Sequence, residues 1–142
     1  MHEALLLAIK AADQDEVPVG AIVVREGNII GRGFNQNIGR HDPSAHAEIM
    51  AMREAGNTQE NHRLPGCTLY VTLEPCMMCA GAMIHARLDR IVFAANDPKT
   101  GAAGGKFDLL SDPAHNHAPE VVGGCLADEC STLIRDFFRK RR

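Results

Sequence analysis

The stretch CTLYVTLEPCMMCAGAMIHARLDRIVFAAND, Cys67–Asp97, decides the fold. CTLYVTLEP is a β-rich run that ends at Pro75. CMMCAGAMIHAR follows directly, with helix formers beginning where a proline is well tolerated, at the first turn. DRIVFAAND is a short apolar run of strand length. Strand, helix and strand in close succession predict a sheet with helices packed on it.

Upstream, RHDPSAHAEIMAMREAGN supplies Pro43 and Ser44 as a start signal for an Ala/Met-rich helix, with Gly56 and Asn57 as its stop. Before it, AIVV, a turn at Glu26, Gly27 and Asn28, and IIGRGFN read as a β-hairpin whose turn residues suit positive φ. EALLLAIKAADQ has apolar residues on more than one side, which predicts a first helix that is mostly covered. Downstream, KTGAAGGKFD reads as a glycine-rich loop, APEVVGG as an edge strand and LADECSTLIRDFFRKRR as a final helix with an apolar stripe. The order α, β, β, α, β, α, β, loop, β, α predicts an α/β protein. Its three layers, α/β/α, enclose a central mixed five-stranded sheet. At 142 residues the chain fits one domain, residues 1–142.

Composition excludes several classes. With 45% hydrophobic and 23% charged residues the chain is globular in character, and no apolar run approaches the roughly 18 residues of a membrane span. No basic leader or small-residue cleavage site marks the N-terminal stretch, so the expected compartment is the cytoplasm. Thiols stay reduced there, and the five cysteines are not read as a disulfide framework. Net charge is −3, but RDFFRKRR holds five basic residues, Arg135, Arg139, Lys140, Arg141 and Arg142, against one acidic. That tail suits a polyanion such as an RNA backbone, or alternatively a solvated helix end with cations at the negative pole of its dipole. The methionines Met50, Met52, Met77, Met78 and Met83 sit at helical positions, for which core packing is the natural account. KTGAAGGK lacks the form of a phosphate-binding P-loop and reads as flexible; no nucleotide cofactor is expected.

The chemistry lies in His46, Glu48, Cys76 and Cys79. A C-x-x-C at a helix start brings two sulfurs to one side of the first turn, where the dipole favours thiolates. Alone it serves redox chemistry or structural zinc equally well. His46, thirty residues upstream, adds a third ligand. Three protein ligands leave a tetrahedral zinc one open position, the catalytic arrangement. His46 and Glu48 stand only two apart, and an ideal helix turns such side chains about 200° away from each other. Both are therefore expected within the first turn, with Glu48 leaning back toward the metal.

HAE followed by PCMMC matches the H-x-E…P-C-x-x-C signature of zinc-dependent nucleobase deaminases. The resemblance extends through EVPVGA, NQNIGRHDPSAHAEIMAMR, TLYVTLEPCMMCAGAMIHAR, KTGAAGG and LADECSTLIRDFFRKRR. Along nearly its whole length the chain resembles the bacterial tRNA-specific adenosine deaminases of the cytidine/deoxycytidylate deaminase superfamily. The resemblance implies the cytidine deaminase-like form of the sheet and one zinc ion, Zn(2+), per subunit. It further implies hydrolytic deamination of adenosine to inosine at the wobble position of a tRNA anticodon, of the arginine tRNA class. Zinc lowers the pKa of its water toward about 7, so that hydroxide is available to attack C6 of adenine. Glu48 would shuttle the protons, first to ring N1 and then to the departing amino group.

By the same similarity Asn35 would hydrogen-bond the purine edge, and Val17 and Pro18 would wall the pocket. Asn96, Asp97 and Lys99 would lie on a loop that meets the flipped nucleotide. Partners implied are a tRNA anticodon stem-loop and a second copy of the chain, with no membrane. HAE and PCMMC do not separate adenine from cytosine, so a free nucleoside or base deaminase, acting on cytidine or guanine, stays open. A zinc-stabilised RNA-binding subunit without catalysis also stays open, although it would have no use for Glu48.

Overall fold

Glycine and alanine set how closely the layers approach. On β1 (Gly20–Arg25), a Cβ added to Gly20 would stand 2.1 Å from the Ala4 carbonyl oxygen of α1 (His2–Asp13). On β2 (Asn28–Phe34), Cβ atoms on Gly31 and Gly33 would stand 2.2 and 2.3 Å from the carbonyls of Ala51 and Ala47 in α3 (Ala47–Gln59). Each helix answers with its own stripe of small residues. Ala4, Ala8 and Ala11 are fully buried in α1, and Ala47, Ala51 and Ala55 in α3. Helix backbones thus lie almost on the sheet, on opposite faces of it.

The computed structural model describes residues 1–142 and completes the order with α2 (Asn37–Arg40), β3 (Cys67–Leu73), α4 (Met77–His85), β4 (Arg90–Ala95), β5 (Glu120–Gly123) and α5 (Ala127–Arg139). The sheet runs β2-β1-β3-β4-β5; β1 is antiparallel to β2 and β3, while β3, β4 and β5 are parallel. The larger apolar cluster, including Val23, Leu69, Val71, Met83, Ile91 and Phe93, lies between the sheet and α3 and α4. A smaller one, Ala94, Ala95 and Cys130, lies under α1 and α5. The expected three-layer α/β/α architecture with a mixed five-stranded sheet is what forms. No helix is long and apolar enough to cross a membrane.

The hairpin closes as expected: Glu26 and Gly27 both take positive φ, 51° and 78°, between the paired residues Arg25 and Asn28. Four local expectations fail. The first helix is not mostly covered: Leu6 and Ile9 are exposed, because the close seat on Gly20 turns the alanine stripe inward and the larger side chains out. α3 passes its expected stop at Gly56 and Asn57 and ends only at Glu60, φ 51°. Tertiary bonds hold that extra turn, from Thr58 Oγ1 to the Ile30 carbonyl and from Arg25 to Gln59. α2 was not expected; Glu16, more than twenty residues upstream, accepts the N–H groups of Ile38 and Gly39 and caps it. Among the methionines only Met52 and Met83 are core, and Met77 and Met78 are exposed on α4.

Candidate active site

α3 and α4 both aim their N-terminal ends at the C-terminal end of β3, beside the boundary where antiparallel pairing gives way to parallel. Asn35 follows β2, and its side-chain Oδ1 accepts the Ala47 N–H at 2.8 Å, so a residue from outside the helix caps α3. His46 occupies the N-cap position with φ −72° and ψ 152°, outside helical geometry, and makes no capping bond. Its ring is therefore not spent on the helix end. The 200° divergence expected for two helical residues does not apply, since only Glu48 is helical; His46 lies outside the first turn where it was expected. Cys76 repeats the arrangement as the N-cap of α4, again without a capping bond, and Cys79 lies in the first turn.

His46 Nδ1 stands 3.6 Å from Cys76 Sγ and 3.5 Å from Cys79 Sγ. The three donor atoms all lie within 4.8 Å of one another. With bonds of about 2.3 Å to sulfur and about 2.0 Å to nitrogen, a tetrahedral zinc spaces its ligand atoms roughly 3.5 Å apart. The donor set therefore fits zinc in both chemistry and spacing. Neither Cys67, Cys125 nor Cys130 joins it.

The same groups perturb one another. Cys76 is held down to about 4 by a hydrogen bond from Cys79, with His46 adding to it, while that contact and burial push Cys79 far up. The sulfurs share a proton that a cation would displace. His46 is raised, chiefly by its bond to Cys76. Burial pushes the Glu48 carboxyl up to about 7, against the pull of its own backbone N–H and of His46.

A cavity of about 230 Å³ opens over this floor, lined by Val17, Val19, Asn35, Asn37, His46, Glu48, Leu73, Glu74, Cys76, Asp97 and Thr100. Asn35 has used Oδ1 on the helix, which leaves the amide nitrogen for the cavity it lines. Of the similarity-based wall residues, Val17 and Asp97 line the cavity. Pro18 does not: it is wholly buried, and Val19 stands beside Val17 instead, because extended chain alternates its faces. Asn96 is exposed and off the wall.

Lys99 lies elsewhere too, in a groove of about 590 Å³ with Ile134, Arg135, Phe138, Arg139, Arg141 and Arg142. Lys140 is exposed and outside that groove. The tail is no frayed end. Arg141 bonds Asp15 at 2.7 Å and sits 3.5 Å over the Phe137 ring, so its charge is partly answered inside the protein. Arg139 stands 3.8 Å from Asp136.

Sequence reasoning missed Glu74, Leu73, Thr100, Asn37 and Val19 on the cavity wall. Glu74 carried a signal, since a carboxylate stands just past the end of β3, directly before Pro75 and Cys76.

The sequence model for the cytidine and deoxycytidylate deaminase zinc-binding region matches residues 1–95. The chain is 52% identical over 143 residues to the tRNA-specific adenosine deaminase of Haemophilus influenzae, covering all of this chain and 83% of that protein. A solved structure from work on A-to-I editing by tRNA:A34 deaminases at the wobble position of transfer RNA superposes with a TM-score of 0.91. It shares 43% identity and the match covers 94% of this chain and 96% of the other. A guanine deaminase from Nitrosomonas europaea superposes with a TM-score of 0.83 at 26% identity, covering 96% and 81%.

Proposed function

The chain belongs to the cytidine and deoxycytidylate deaminase family and, within it, to the tRNA-specific adenosine deaminases; from that membership we infer hydrolytic deamination of adenosine to inosine at the wobble position of a tRNA anticodon. The observation that carries the reading to named residues is the meeting of His46, Cys76 and Cys79 with a buried Glu48 at the floor of one cavity.

His46, Cys76 and Cys79 hold the metal, one ion per subunit. Zinc, when bound, supplies a water of lowered pKa as the nucleophile for the base. Glu48 takes a proton from the attacking water and delivers it to ring N1, then takes the proton of the new C6 hydroxyl and delivers it to the amino nitrogen, which leaves as ammonia. One carboxyl can do both in turn. The Asn35 amide nitrogen donates to an acceptor on the purine edge. Val17 and Val19 exclude water from one side, while Asp97 and Thr100 stand at the mouth. A cavity of about 230 Å³ suits a single base turned out of a single-stranded loop, the form in which RNA bases are read. Arg135, Arg139 and Arg142 with Lys99 receive the phosphates of the flanking nucleotides in the groove beside α5. Arg141 contributes less because Asp15 answers it.

Residues 1–142 act as one deaminase domain, and the working unit is a homodimer. Exposed Met77 and Met78 on α4, beside the groove lined by Ile49, Met52, Leu64 and Ala82, support that assembly. Light scattering at about twice the chain mass is the expected result.

The decisive assay offers zinc-loaded protein an anticodon stem-loop and, separately, free adenosine, cytidine and guanine. Inosine in the stem-loop, with free bases and nucleosides turned over far more slowly, is expected. Faster turnover of free guanine would move the chain toward the guanine deaminases it also resembles. Stem-loop binding should weaken as salt rises, with a slope of about 0.7 per phosphate contact. A slope unchanged by Arg139→Ala and Arg142→Ala together would remove the tail from substrate binding.

A further inference from the structure

One buried carboxylate in the pocket takes no part in the proton steps above. Glu74 is 2% exposed and lines the cavity, yet no lysine or arginine pairs with it. Three backbone amides answer its charge instead. Oε2 accepts the Asp97 N–H at 2.7 Å, and Oε1 accepts those of Ala103 at 3.0 Å and Gly105 at 2.7 Å. Amide bonds to an ionised acceptor are among the stronger ones a protein makes.

Around those oxygens the loop is built of glycine because nothing larger fits. A Cβ on Gly101 or on Gly105 would stand 2.4 Å from Oε2 of Glu74, and within 2.5 Å of the Asp97 carbonyl oxygen. From the amide that Glu74 holds, the order passes outward. Asp97 Oδ1 accepts the N–H groups of Lys99 at 3.0 Å and Thr100 at 3.2 Å, and Oδ2 accepts the Thr100 hydroxyl at 2.7 Å. Both Asp97 and Thr100 line the cavity. Inward, the neighbouring Pro75 carbonyl accepts the Ala102 N–H at 2.8 Å, and Cys76 bridges Gly101. One short segment, Glu74–Cys76, thus carries a metal ligand on one side and the pocket mouth on the other.

We propose that Glu74 is the positioning residue of substrate recognition: it holds Asp97–Gly105 in the shape that places Asp97 and Thr100 at the mouth, registered to the metal floor through Pro75 and Cys76. The proposal rests on the deaminase reading above, since it assigns the loop to gripping the nucleotide that reading supplies. It separates two tasks. Loss of Glu74 loosens the grip and leaves proton transfer at the floor intact.

The test uses the full-length, zinc-loaded protein, Glu74→Gln, and Gly105→Ala, which crowds the cradle while keeping the carboxylate. In Glu74→Gln an amide NH₂ faces backbone N–H donors, so at least one bond is lost and two donors oppose each other. For both variants KM for the stem-loop should rise roughly tenfold to a hundredfold, as expected for losing one or two hydrogen bonds to a charged group. Zinc content should be that of wild type, and kcat should fall by no more than about the factor that one imperfect neutral hydrogen bond accounts for. Amide hydrogen exchange at Asp97, Ala103 and Gly105 should be slow in wild type and fast in Glu74→Gln. A lowered melting temperature with KM unchanged would reduce Glu74 to a structural residue and overturn the proposal. So would loss of zinc, or unaltered exchange at the three amides. Should Glu74→Gln fail to fold, Gly105→Ala decides. A wild-type protein that binds no stem-loop would sink the deaminase reading, while the exchange data still decide whether the cradle holds.

Discussion

Glu48 and Glu74 are the same residue type, 4% and 2% exposed, on the wall of the same cavity, and they are prepared for opposite work. Glu74 accepts from three amides of a loop well removed in sequence. Glu48 has a backbone N–H only from itself and one contact with the Cys79 thiol, and burial lifts its carboxyl to about 7. Burial alone does not tell a proton carrier from a tether. The hydrogen bonds do: three amides of a distant loop hold one carboxylate in place, and the other, with none from elsewhere in the backbone, keeps lone pairs free for a proton.

The comparison can be broken at the floor first. Cys79→Ala, or a chelator, should remove zinc and take deamination below detection, with a lower melting temperature because metal binding and folding are coupled. Metal analysis beside a thermal melt measures both. If activity survives, the floor is not where the chemistry happens and Glu48 has no partner. Next in size, Glu48→Gln should lower kcat by about a hundredfold to ten-thousandfold, the range for general acid–base groups, with zinc retained and KM near wild type. A variant that loses KM and spares kcat would merge Glu48 with Glu74 and end the distinction.

Asn35→Ala sharpens it from a third side, because Asn35 caps α3 and also faces the cavity. Loss of the cap should cost about 1 kcal/mol of stability, read by denaturant midpoint. Loss of a donor to substrate should reduce kcat/KM about tenfold. A stability loss with unchanged kcat/KM would leave only the cap. The last effect is in pH. In chelator-treated protein, the Glu48 carboxyl titrates at about 7 in the folded state against an ordinary 4.5. The folded state then holds the proton that the unfolded state releases, so stability is full below about 4.5 and declines as pH rises to about 7. The difference between wild type and Glu48→Gln isolates that slope, and a flat difference would place Glu48 in a wetter setting than the structure gives it.

What was legible in the sequence was local. The β3–α4–β4 unit shows in Cys67–Asp97 because strand, proline and helix formers follow one another directly. The ligand set shows because a C-x-x-C at a helix start admits few uses once His46 is added. What was not legible depends on partners far along the chain. α2 forms because Glu16 caps it, and the last turn of α3 persists because Ile30 and Arg25 hold it. Glu74 could be seen as a carboxylate between a strand and the Pro75–Cys76 helix start, but its three amides lie 23 to 31 positions away. Pro18 and Val19 were exchanged because which face of an extended segment meets a cavity depends on register, which the motif did not carry. Leu6 and Ile9 pointed outward once Gly20 had fixed the depth of α1.

The seat of α3 on Gly31 and Gly33 has a consequence for how such an enzyme changes over generations. The height of His46 and Glu48 above the sheet is set by two missing side chains, so the floor has no fine adjustment. An added methyl would lift the helix and displace His46 and Glu48 together, at a cost of about 1–3 kcal/mol for overpacking. A change that alters the choice of base and spares the floor therefore falls on side chains of the rim, such as Asn37, Asp97 and Thr100, and not on the glycines beneath α3 or in the Glu74 cradle.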